Sequence, residues 1–124
     1  MATERTEKTI RAARNSSLDG EVQGAATIEL TRFRVKPGRA EALLAARPRM
    51  LEDFRADRAG FIRAHLVRLP ADQWLDIVWW RSHEDFVVSR AKGANLPGIT
   101  AFFDAIDELV SAEEGVPAGG EDGV

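Results

Sequence analysis

From Gly60 to Ser82 the chain alternates apolar and polar residues on either side of Pro70-Ala71, a pattern that predicts two antiparallel strands joined by a tight turn. Pairing Leu69 with Asp72 across a two-residue turn sets His65 opposite Asp76 and Phe61 opposite Trp80. Period two then collects Ile62, Ala64, Leu66, Leu75, Ile77 and Trp79 on one face, uncharged apart from the terminal Arg68 and Arg81, and that face is expected to meet helices. The other face collects Phe61, Arg63, His65, Val67, Trp74, Asp76, Val78 and Trp80. Its mixture of aromatic and ionisable groups suits a ligand pocket better than a core.

Upstream, Ile28 and Leu30 alternate with Glu29 and Thr31 before the parity changes to Phe33 and Val35. This predicts a strand over residues 27–36 with a bulge or a change of burial near Thr31 or Arg32, stopped by Pro37-Gly38. Ala40, Leu43, Leu44, Arg47, Met50, Leu51 and Phe54 then recur at helical spacing, giving an amphipathic helix over 39–56 that Pro48 is expected to kink or split. Ser82, with Asp85 three residues on, caps a second helix that ends at Gly93 and Asn95. Pro97 opens a third, striped by Ile99, Phe102, Phe103 and Ile106, while residues 106–110 fit a last helical turn or a short edge strand equally well. The order predicts an α+β fold: a ferredoxin-like split βαβ arrangement with an antiparallel sheet.

Composition narrows the function classes. The 124 residues carry a formal net charge of -3 and no cysteine, so neither a thiol mechanism nor a disulfide framework has residues to build it. Basic residues are scattered, which argues against a nucleic-acid partner. No apolar run approaches the roughly 18 residues of a membrane span, and the N-terminal stretch is charged, so no membrane partner and a cytoplasmic location are expected. Residues 1–25 and 113–124 lack a sustained amphipathic period and are expected to be flexible tails around one domain over 26–112. A domain of that size buries only about 60 to 65% of its unfolded surface. An open sheet face holding Phe61, Trp74 and Trp80 would also need cover, so a homodimer whose sheets enclose a cavity is expected.

Three segments in order, Phe33-Arg34-Val35-Lys36-Pro37-Gly38-Arg39, Ala59-Gly60-Phe61-Ile62 and Trp80-Arg81-Ser82-His83-Glu84-Asp85-Phe86, resemble the antibiotic biosynthesis monooxygenase domain of dimeric α/β barrel proteins over roughly residues 26–112. The resemblance implies a homodimer with one pocket per subunit between sheet and helices. Members include cofactor-free oxygenases that convert aromatic polyketide phenols or anthrones to quinones, quinol oxygenases and haem-degrading enzymes. In the polyketide-oxidising members the tryptophan matching Trp80 is preceded four residues earlier by asparagine and followed six residues later by tyrosine. Here those positions hold Asp76 and Phe86, and the chain contains no tyrosine. The asparagine, tryptophan and histidine of the haem-degrading members fall on Thr31, Ser89 and Ile99, so the resemblance implies a chain without haem or another cofactor.

Cofactor-free oxygenation requires a base, a dry pocket and a substrate that becomes an electron-rich anion. His65, with an ordinary pKa of about 6.5, is the expected base, and Asp76 is expected to orient it. Arg63 would stabilise a developing oxyanion, Trp74 and Trp80 would stack on a planar substrate, and Phe61 and Phe86 would complete the substrate site. A His opposite an Asp also fits a plain cross-strand polar pair, with Arg63 neutralising Asp76. Trp79 is expected in the core and His83 at the surface. No metal-binding spacing is present. The expected activity is a cofactor-independent monooxygenase acting with molecular oxygen on a small phenol, anthrone, quinol or polyketide-like aromatic. The alternatives are a cyclase, isomerase or small-ligand-binding protein on the same barrel, or an interaction subunit that works through its tails.

Overall fold

The structure is a computed structural model and describes residues 24–120. Its elements are β1 (Thr27–Val35), α1 (Ala40–Asp57), β2 (Phe61–Leu69), β3 (Gln73–Trp80), α2 (His83–Lys92), α3 (Pro97–Asp104) and β4 (Ile106–Gly115). The strands form one antiparallel sheet in the order β2-β3-β1-β4, with the helices on one face. This is the expected ferredoxin-like α+β fold. No described helix is long and apolar enough to cross a membrane.

Local chemistry sets most boundaries. Ser82 Oγ accepts the Asp85 backbone N–H at 3.0 Å, and Gly93, at φ 60°, closes α2. Pro97 starts α3 as expected. Helix α1 runs unbroken through Pro48, because Pro48 and Leu44, whose carbonyl loses its partner, both lie on the exposed side. The ambiguous residues 106–110 begin β4, which continues to Gly115 and pairs Gly115 with Ile28. The first residues of the expected C-terminal tail are therefore ladder, while residues 1–23 of the N-terminal one lie outside the described residues. The bulge expected in β1 is absent from its pairing with β3, which runs in register from Thr27↔Trp80 to Arg34↔Gln73. The irregularities sit on the other side, where β4 shifts register opposite Arg32/Phe33 and Arg34/Val35.

The β2–β3 hairpin departs most from expectation. Ala71 and Asp72 both take positive φ, 63° and 58°, so the connection uses three residues and Leu69 faces Gln73 rather than Asp72. A register shift between Phe61 and Arg63 brings Phe61 back opposite Trp80. In between, His65 faces Ile77, and Asp76 faces Leu66. One residue of slip sends every side chain to the other face.

The two faces are accordingly reassigned. Trp74, Asp76, Val78 and Trp80 lie buried beneath the helices, and Phe61 packs there against Phe54 and Trp80. The helix-free face carries Leu75, Ile77 and Trp79 with Arg63, His65 and Val67, and Ile28 and Leu30 extend it onto β1. Trp79 is thus outside the core expected for it, and its ring lies 5.4 Å from that of His65. The core between sheet and helices is built on Phe33, Leu43, Trp80, Ile99 and Phe102.

Candidate functional site

Between the helix-facing side of the sheet and the three helices lies a cavity of about 380 Å³. Its walls are mainly apolar, formed by Phe33, Met50, Phe54, Val78, Phe102 and Leu109. Polar groups enter at a few points: Thr31 and Asp76 from paired positions on β1 and β3, Glu29 two residues before Thr31, and Arg58, Ser89 and Arg90 from the far side. Apolar walls with sparse, placed polar atoms are the ordinary design of a small-molecule site.

Each polar group is held by the fold. Arg47, in the buried stripe of α1, donates to both oxygens of Asp76 at 2.6 and 2.8 Å, and its guanidinium lies 5.2 Å from the Phe102 ring centre. Asp76 therefore presents the cavity with a neutralised ion pair rather than a free carboxylate. Arg58 follows the last turn of α1. It donates from Nε to Ser89 Oγ at 2.9 Å and from its terminal nitrogens to Asp57, Asn95 and the Gly93 carbonyl, tying α1 to the α2–α3 loop. Hydrogen bonds from Asn95, then Lys92, then Arg58 hold the Asp57 carboxyl below its ordinary pKa. At the remaining corner, Glu29 accepts the Trp80 indole N–H on one oxygen and Arg90 Nε on the other, each at 3.0 Å.

Of the residues expected to form the site, the cavity gathers Asp76 alone. His65 and Arg63 are on the opposite face of the sheet, so Asp76 cannot orient His65. Trp74 is packed under Arg68, whose guanidinium is 4.7 Å from its ring, and Trp80 is enclosed by Phe54 and Phe61. Phe86 stacks near His83 and under Arg90. His83 is exposed, as expected, but is not free: its Nδ1 lies 2.6 Å from Glu114 Oε2. The sequence held one signal for the missed residues. Arg47 sits at helical spacing inside the apolar stripe of α1, where an arginine requires a buried partner.

No group of three or more described His, Asp or Glu residues is arranged to hold a metal ion. The fold is a ferredoxin-like domain with a mainly apolar cavity between its sheet and helices. The family model for antibiotic biosynthesis monooxygenase matches residues 27–94, and the chain belongs to that family. Solved structures agree in fold. A Bordetella bronchiseptica protein named for the same family superposes with a TM-score of 0.65 at 15% identity, covering 76% of this chain and 98% of that one. A Chloroflexus aurantiacus counterpart gives 0.55 at 22% identity, covering 78% and 97%. SnoaB, a cofactor-independent oxygenase from Streptomyces nogalater, gives 0.53 at 25% identity, covering 78% and 95%. No curated protein matches the chain.

Proposed function

We propose that this chain is a cofactor-independent monooxygenase that oxidises a small hydroxylated aromatic with molecular oxygen inside the cavity. The observation that carries the reading is the cavity itself: phenylalanine, methionine and aliphatic walls around about 380 Å³, with a few polar residues among them. Family membership and the likeness to SnoaB support it. The reaction balances without a cofactor. A phenol loses its hydroxyl proton, the resulting anion passes an electron to oxygen, and the two radicals join at a ring carbon. The peroxide then breaks down, leaving one oxygen atom on the ring as a quinone and releasing the other as water. Phe33, Phe54 and Phe102 flank the ring and exclude water, while the Arg47–Asp76 pair supplies a fixed dipole on one side.

The helix-free sheet face, with Ile28, Leu30, Leu75, Ile77 and Trp79, is the surface on which a second copy would pack to close a dimeric barrel. One observation favours a second reading, a non-oxidative cyclase, isomerase or binding protein. Asp76 and Phe86 replace the asparagine and tyrosine of the polyketide-oxidising pattern, and Asp76 is taken up by Arg47.

The test is oxygen consumption by the metal-stripped protein against anthrones, naphthols and quinols, with Thr31→Phe, which fills the cavity, alongside. Uptake that Thr31→Phe abolishes supports the oxygenase. Ligand binding without uptake establishes the second reading.

A further inference from the structure

We infer that Glu29 is the group that accepts the hydroxyl proton of the substrate, an inference that rests on the oxygenase reading above. The other candidate bases are spoken for. His65 is on the far side of the sheet, His83 is held by Glu114, and Asp76 is locked in a bidentate ion pair with a guanidinium that is itself buried, whereas the Arg90 that meets Glu29 is half exposed. Glu29 lines the cavity, and its side chain is only 15% exposed.

Its two partners leave room at the carboxylate for a substrate hydroxyl. Oε1 accepts from the neutral Trp80 indole and Oε2 from Arg90, whose side chain is 44% exposed and so screened by water. Each carboxylate oxygen accepts about two hydrogen bonds, so each keeps a position for a substrate O–H. Trp80, fully buried between Phe54 and Phe61, fixes where Oε1 points. The facing charges are Arg90 from α2 and Glu114, the cross-strand neighbour of Glu29 on β4, which His83 in turn engages. In the step, the substrate O–H bond breaks and the proton goes to a Glu29 oxygen. The bonding pair stays on the substrate oxygen, and no electron is exchanged. The proton later leaves with the water product.

The experiment measures oxygen uptake by the full chain, its Glu29→Gln variant and its Glu29→Asp variant on a naphthol across pH. Glutamine still accepts the indole N–H but cannot take a proton. Glu29→Gln is expected to lose on the order of 100-fold in kcat near neutral pH. It should regain about tenfold per pH unit as the naphthol ionises in solution, while Glu29→Asp keeps a flatter profile. A flat, uniformly low profile for Glu29→Gln, or unchanged activity, overturns the assignment. If the unaltered protein consumes no oxygen, the oxygenase reading fails and Glu29 is judged by binding. A preference of at least about tenfold for the naphthol over its methyl ether, reduced below about threefold by Glu29→Gln, supports it as the hydroxyl acceptor. Any other pattern overturns it.

Discussion

Arg47, halfway along α1, grips Asp76 on β3 with both terminal nitrogens, at 2.6 and 2.8 Å, in a largely buried contact. Removing one partner leaves the other as a buried, uncompensated charge. Asp76→Ala is therefore expected to cost about 3–5 kcal/mol in a urea melt, whereas Arg47→Met with Asp76→Leu should cost far less than either single change. Equal losses from the single and double variants would show that the pair is not the source of the stability.

Gly60 sits at φ 80° just before β2, and a Cβ placed there would collide with the Asp85 side chain in the first turn of α2. Its carbonyl also accepts the Arg81 N–H at 2.9 Å, so the backbone cannot easily move aside. Gly60→Ala is expected to destabilise the protein by about 1–3 kcal/mol, read from thermal or urea unfolding. A neutral result would mean that the α2 start relaxes freely.

His83 and Glu114 join the start of α2 to the end of β4. The hydrogen bond that His83 donates to Glu114, ahead of the charge of Glu114, raises the His83 pKa above 6.5, and the bond accepted from His83, with a further one from Thr27, lowers that of Glu114 below 4.5. The contribution of His83 is complete below 6.5 and is lost as pH rises through its raised value. That of Glu114 is complete above 4.5 and is lost as pH falls through its lowered value. Amides near the end of β4 should thus be better protected from hydrogen exchange, after correction for intrinsic rates, at about pH 6 than at about pH 8. His83→Ala should remove the difference, and persistence of the difference in that variant would place its origin elsewhere.

Trp79 and Ile77 lie at the centre of the helix-free face, and the buried Trp79 indole N–H has no hydrogen-bond partner among the described residues. If this face joins two copies, sedimentation should report about twice the 13.7 kDa chain mass. Ile77→Lys should shift the population to single chains without loss of helix signal. A single-chain mass for the unaltered protein would rule out the dimer.

Although the pattern of the last strand fits a helical turn equally well, the element order up to α3, the Ser82 cap, the Pro97 helix start and the family were legible in the sequence, because they depend on local periodicity, turn chemistry and an ordered set of short motifs. The site was not. Both faces of β3 carry large apolar residues, so alternation alone could not say which face the helices would cover. That choice depends on Arg47, brought from another element to neutralise Asp76, and on two positive-φ residues that lengthen the hairpin turn by one position. A one-residue change in register exchanges the faces, and only the assembled sheet and helices determine which side chains meet.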